Sequence, residues 1–168
     1  SVVDQVAVLV LQVSAFSLPF ASVRFLSRSH SQGSAAFRHT YSGLLTALVT
    51  LTSVGVLMAV SVVILWPSLL GAELSAYRNL LIPALLSVPA MALHYFMVQV
   101  LAASQQARLS GFFLLIIAMV QTFGAFVGTQ LGGALGYYWA ILLCNYLLVL
   151  GVVVFLKRKF SLPILDRE

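Results

Sequence analysis

The sequence predicts an all-α membrane protein, a polytopic bundle of about five transmembrane helices. Three observations predict it. Hydrophobic residues make up 61% of the 168 and charged residues only 8%, with a mean hydropathy of +1.06, a balance far from that of a soluble domain. The apolar runs are too long to be hidden inside a protein of 18.2 kDa, whose surface is large relative to its volume. The nine Lys and Arg residues fall between those runs and form no single basic stripe. Despite a net charge of +5, this spacing points away from nucleic acid and makes the cations topology signals.

The first span covers about residues 5–23. From Gln5 to Val23 no residue is charged, a run of roughly 28 Å as a helix at about 1.5 Å per residue. Pro19 falls near its end and can bend the last turn. Residues 24–40 are the most polar part of the chain and read as an interfacial loop, with the segment Ser27 to Ser34 richest in Ser, Arg and His. Within it Gly33-Ser34 reads as a break followed by an N-cap for a helix beginning at Ala35.

The second span, 41–66, closes on Trp66-Pro67, and Trp belongs at a headgroup boundary. After a short loop from Glu73 to Arg78, the third span, 79–103, carries Pro83 and Pro89 and is expected to be kinked or partly unwound. The uncharged stretch from Leu109 to Leu156 is too long for one helix, since a span needs only about 20 residues. It divides at Gly132-Gly133-Ala134-Leu135-Gly136, whose glycines supply the freedom for a tight reversal. The fourth and fifth spans are thus 110–131 and 137–156. Tyr137-Tyr138-Trp139 forms an aromatic belt, and Lys157-Arg158-Lys159 is a basic stop before the tail Phe160 to Glu168.

Orientation follows from the cations. With the loop after the first span in the cytoplasm, Arg24, Arg28, Arg38, Arg108, Lys157, Arg158, Lys159 and Arg167 share that side, and only Arg78 faces out. The positive-inside rule therefore predicts an external N-terminus, a cytoplasmic C-terminus and an odd helix count in the cytoplasmic (inner, plasma) membrane. The stretch after Ser1 lacks the basic region and cleavage site of a signal peptide, so the chain reads as a fragment of something longer. Cys144 lies alone in an apolar run, forms no disulfide within the chain and serves packing.

The functional inventory is informative by what it lacks. No Asp, Glu, Lys or Arg falls inside the five spans, where one would cost at least about 2.5 to 3.5 kcal/mol and would mark an ion or proton path. There is no zinc-protease motif, no serine intramembrane nucleophile and no acidic dyad, so no enzyme, cofactor or metal is expected. His94 is the ionisable group nearest mid-membrane, with Gln99 further along. It either lines a polar cavity or bonds a neighbouring helix or a carbonyl freed by Pro89, and no second metal ligand stands at i+4. Gly124, Gly128, Gly132 and Gly136 recur every four residues, which lets a second backbone approach, either as a hinge surface or as static packing before a turn. Arg24 and Arg28, with His30, are either topogenic charges held near anionic lipid or contacts to the phosphates of a lipid-linked substrate.

The order of these pieces resembles one half of the polysaccharide flippases, lipid-linked oligosaccharide exporters related to the multidrug and toxic-compound extrusion transporters. The likeness rests on Ala21-Ser22-Val23-Arg24-Phe25-Leu26-Ser27 before a polar loop with Gly33, a long span, and then Leu69-Leu70-Gly71-Ala72. It continues through Leu101-Ala102-Ala103-Ser104-Gln105-Gln106-Ala107-Arg108 and Gly133-Ala134-Leu135-Gly136-Tyr137-Tyr138-Trp139-Ala140. The resemblance implies half of a twelve-helix, two-lobe transporter, with a lobe's first helix and the whole second lobe missing. It also implies alternating access, in which two lobes rock about a cavity that shields the glycan and pyrophosphate of a polyprenyl-linked substrate from hydrocarbon while the lipid tail stays in the membrane.

The expected function is thus flipping of a lipid-linked oligosaccharide for polysaccharide biosynthesis, with Arg24, Arg28 and His94 as substrate-binding residues. Membrane lipid, the lipid-linked oligosaccharide and the missing second lobe are the expected partners. The alternatives are a fragment of a multidrug-type cation antiporter, disfavoured by the absence of intramembrane carboxylates, a non-transporting membrane scaffold subunit, and an interfacial enzyme using His30, Arg38 or His39 on a lipid phosphate.

Overall fold

A computed structural model describes residues 1–15, 18–103 and 107–160, and among them every regular element is a helix. In chain order these are α1 (Val2–Ala15), α2 (Leu18–Gln32), α3 (Ser34–Leu65), a 3-10 turn (Pro67–Leu70), α4 (Gly71–Ala76), α5 (Arg78–Ala103) and α6 (Ala107–Phe160). Three of them are long and apolar enough to cross a membrane: α3 over Ala35–Leu65, α5 over Arg78–Ala103 and α6 over Arg108–Val154.

The longest, α6, is two arms. Gly132 (φ −148°, ψ 21°) and Gly133 (φ 58°, ψ −140°) leave helical geometry, and the second of these conformations is one that only glycine adopts without strain. The chain reverses there. A Cβ added at Gly128 would strike Ala140 and the backbone of Gly136, and one at Gly124 would strike Cys144, so the arms lie antiparallel at backbone contact. Of the glycine cluster read as the reversal, Gly136 therefore serves packing, and Gly132 and Gly133 make the turn.

The core helix is α5. It packs against α1, α2, α3 and α6, and 67% of its most apolar stretch is buried, against 22% for α3 and 11% for α6. The outer helices present large apolar side chains such as Leu57, Phe123, Leu131 and Leu147 outward. In water such a coat would aggregate; hydrocarbon covers it without cost. Pro83 and Pro89 sit inside α5 without interrupting it, so the expected unwinding of this segment does not occur. Each proline still removes one backbone donor, and the hydroxyl of Tyr146 on α6 donates to the carbonyl of Leu86, in the turn before Pro89, at 3.1 Å.

Two buried clusters fill the two ends of the bundle. Val3, Val63, Leu81, Val88 and Tyr138 pack at one; Leu26, Phe37, Tyr41, Phe96 and Leu101 pack at the other, where the rings of Tyr41 and Phe96 lie 5.7 Å apart. Tyr41 meets Met97 at one end and Arg78 meets Ile64 at the other, so α3 and α5 run antiparallel, and Ser110 reaches back to Val98 where the chain turns from α5 into α6. Trp66 caps α3 at the first end, where Arg78 donates to the Ile64 carbonyl at 3.3 Å. That contact places a cation on the negative end of the α3 dipole.

The polar stretch 24–40, expected as a loop, is helical on both sides of Gly33. Ser22, Leu26 and Ser29 are buried in α2 while Arg24, Phe25, Ser27 and Arg28 are exposed, the one-sided pattern of an amphipathic helix. A search for charge-free runs passes over such a helix. Pro19 stands in its first turn, where a missing N–H is least costly, so this proline begins a helix and does not bend the end of one. Gly33, with φ 117°, holds the N-cap position of α3 in place of Ser34 and gives no side-chain cap. The junction residues Phe16 and Ser17, the segment Ser104 to Gln106 and the tail from 161, with Arg167, lie outside the described residues.

Candidate functional site

The reversal at Gly132-Gly133 sets which residues of the two α6 arms meet. Gln121 and Asn145 stand equally far from it, and the Gln121 side-chain amide donates to Asn145 Oδ1 at 2.8 Å. Asn145 is completely buried. Its backbone carbonyl also accepts from His94 Nε2, at 3.0 Å, across to α5. A helical carbonyl has a second lone pair to offer after its own i+4 bond, so His94 joins the core helix to the hairpin without breaking the ladder. The Asn145 Nδ2 group has no hydrogen-bond partner among the described residues. Buried amides are nearly always paired, which makes this group an exception with chemical meaning.

Asn145 lines a pocket of about 290 Å³ between α1, α5 and the hairpin, shared with Asp4, Ser87, Gln121, Thr122 and Tyr138. The Ser87 hydroxyl is turned to the Ala84 carbonyl at 2.7 Å. At the pocket's outer end the Tyr138 hydroxyl donates to Asp4 Oδ1 at 3.0 Å, and the Ser1 hydroxyl donates to Asp4 Oδ2 at 2.8 Å. Burial pushes the Asp4 carboxyl up, and the hydroxyls of Ser1 and Tyr138 pull it down. Tyr137 and Tyr138 meet edge to face, 4.9 Å between centroids. A second pocket of about 220 Å³ runs on from the first, sharing Met91 and Gln121 and including His94 and Tyr95. Among the described residues no lysine or arginine lines either pocket.

Among the three residues singled out from sequence, His94 alone reaches this polar interior, and it both lines a pocket and bonds a neighbouring helix. Arg24 and Arg28 stand one turn apart on the exposed face of α2, away from both pockets. Arg38 and His39 are exposed at the start of α3; the His30 side chain lies outside the described ones. Gln99 is partly buried. Among the described residues no three His, Cys, Asp or Glu side chains come together.

Asn145, Gln121, Asp4 and Tyr138 were missed from sequence. A search for ionisable groups inside spans passes over neutral amides, yet Gln121 and Asn145 are isolated polar residues in apolar runs, and such residues pair across helices. Asp4 precedes the first charge-free run and so falls outside the expected span, and only the hairpin's return brings Tyr138 to it. No protein-family model matches this chain, and no curated protein or solved structure matches it.

Proposed function

We propose that this chain is part of one lobe of a lipid-linked oligosaccharide flippase, a transporter that moves a polyprenyl-pyrophosphate glycan across the cytoplasmic membrane by alternating access. The observation that carries the reading is a pair of neutral amides in the polar interior: a fully buried Asn145 paired to Gln121, beside a pocket, inside a coat of apolar side chains. A translocating cavity must offer hydrogen bonds to sugar hydroxyls without the cost of burying bare charges. Arg24 and Arg28, exposed near the Gly33 end of the bundle, suit the phosphates of the same substrate at the cytoplasmic mouth.

On this reading the chain crosses the inner membrane five times. The helices α1 and α2 together make the first crossing, α3 and α5 the second and third, and the arms of α6 the fourth and fifth. The Gly33 end is cytoplasmic, which puts Arg24, Arg28, Arg38 and Arg108 inside and Arg78 outside. The partner is a second lobe of the same protein, which closes the cavity.

A second reading is favoured by one observation. Asp4 lines the pocket with Asn145, and a carboxylate at the edge of a polar interior suits a cation-coupled antiporter. The test is transport by the full-length parent in liposomes. A fluorescent lipid-linked oligosaccharide that becomes accessible on the opposite leaflet, without an imposed ion gradient, supports the flippase. Export of an organic cation driven by a proton or sodium gradient, with no glycolipid movement, replaces it with the antiporter.

A further inference from the structure

We infer that the pocket between α1, α5 and the α6 hairpin binds one uncharged pyranose ring, held through Asn145 and Gln121, so that it reads the sugar and not the phosphate of a glycolipid. The inference rests on the flippase reading and assigns this site its part of the substrate.

The demand for a ligand comes from Asn145. Its side-chain nitrogen is buried, unpaired among the described residues, and the residue lines the pocket. Amide nitrogen and oxygen exchange places when the Asn145 and Gln121 side chains are turned together, so the unpaired atom is a donor in one arrangement and an acceptor in the other. A hydroxyl group satisfies both, because it donates and accepts.

The other chemistries fit less well. Phosphate needs cationic donors, and among the described residues the lining carries none while including the Asp4 carboxylate. A metal or ammonium cation needs anionic oxygens free to bind it, and both oxygens of Asp4, the one carboxylate among the described lining residues, already accept hydrogen bonds, from Tyr138 and from Ser1. A purely apolar ligand would leave the buried amide unpaired. A sugar ring has hydroxyls at its rim and C–H groups on its faces, and the lining offers the same pair of chemistries: Gln121, Thr122 and Asn145 beside the rings of Tyr137 and Tyr138. The volume, about 290 Å³, stands at the lower limit of ligand pockets, roughly 300 to 1,000 Å³, and admits one ring and not an oligosaccharide.

The experiment is equilibrium binding of radiolabelled methyl α-glucopyranoside, methyl α-galactopyranoside and methyl N-acetyl-α-glucosaminide to the full chain in nanodiscs, with inorganic phosphate as a fourth probe. At least one glycoside is expected to bind saturably, and phosphate is not. Asn145→Leu should weaken that binding tenfold or more, and Thr122→Val, at an exposed position that leaves the fold intact, several-fold. Where Asn145→Leu does not give a folded protein by circular dichroism, Thr122→Val and Gln121→Leu decide alone.

Saturable binding of no glycoside overturns the inference, since a trapped water then suffices for Asn145. Binding of phosphate, or glycoside binding unchanged in every folded variant, also overturns it. Transport by the full-length parent separates the two ideas. Glycoside binding without glycolipid transport sinks the flippase and leaves the pocket; transport without glycoside binding does the reverse.

Discussion

Gln121 and Asn145 face each other across the α6 hairpin, the amide of the first donating to the side-chain oxygen of the second at 2.8 Å. The pair exists because Gly132 and Gly133 place the reversal midway between them. It also depends on Gly124, Gly128 and Gly136, which let the arms come close enough for two short amides to touch. Hydrogen bonds between membrane helices average about 0.6 kcal/mol and reach about 1.7 kcal/mol. Gln121→Leu should therefore lower stability in detergent by about 1 kcal/mol, because it leaves both polar atoms of a buried Asn145 side chain unpaired. The double variant Gln121→Leu with Asn145→Leu should regain most of that loss, since removing both partners leaves nothing buried and unsatisfied. Denaturant melts of the three proteins give the comparison, and equal losses in single and double variants would count against the pairing.

The glycines of α6 differ in what they permit, and their substitution should separate them. A side chain at Gly128 meets the backbone of Gly136, which cannot yield as a flexible side chain can, so Gly128→Val should cost about 1 to 3 kcal/mol through overpacking. Gly111 has nothing within 4 Å of an added Cβ and is helical, so Gly111→Ala should gain about 0.5 to 1 kcal/mol. Gly133→Ala meets open space as well, but φ of 58° makes it unfavourable by about 1 to 3 kcal/mol. Thermal melts that ranked Gly133→Ala with Gly111→Ala would refute the backbone account of the turn.

The helical class and the place of the reversal were legible in the sequence, because long charge-free runs and a cluster of glycines are local signals. The amphipathic α2 was not, because its buried stripe of Ser22, Leu26 and Ser29 is mostly polar and its exposed side includes Phe25. Hydropathy alone ranks such a segment as loop. The pocket was not legible either. It depends on Asp4 meeting Tyr138 across 134 positions and on Asn145 meeting His94, contacts fixed by helix packing and carried by no spacing in the chain. His94 could be singled out by its chemistry, but its partner is a backbone carbonyl, which any residue at 145 would supply.

The contact between Asp4 and Tyr138 ties the start of α1 to the hairpin and should weaken in acid. The Tyr138 hydroxyl donates to Asp4 Oδ1, and this bond favours the charged carboxylate in the folded chain. The contribution of that bond is complete at neutral pH and is lost in acid as the carboxylate takes up its proton. Tyr138→Phe removes one donor and should cost about 1 kcal/mol at neutral pH. The variant should also lose less than the parent chain between pH 5 and pH 2, because its Asp4 has less to give up. Parallel pH-dependent melts of the two proteins measure this, and identical slopes would show that Tyr138 does not hold the carboxylate.

Arg24 and Arg28 make the last prediction because their placement separates fold from function. Both are exposed, one turn apart on the same side of α2, and surface substitutions of this kind usually change stability by less than about 0.5 kcal/mol. Arg24→Gln with Arg28→Gln should thus leave melting unchanged. On the flippase reading the same pair loses two charge-assisted contacts to pyrophosphate, each commonly worth about 1.5 to 3 kcal/mol, so glycolipid transport by the full-length parent should fall at least tenfold. Raised salt should slow the parent more than the variant, since exposed charges are screened within about 10 Å at 0.1 M ionic strength. Lysine at both positions should restore part of the rate, because charge is kept while the bidentate grip is lost. Transport undiminished in the glutamine variant would leave the two arginines as anchors to anionic lipid, and the phosphates of the substrate would then have to be met elsewhere.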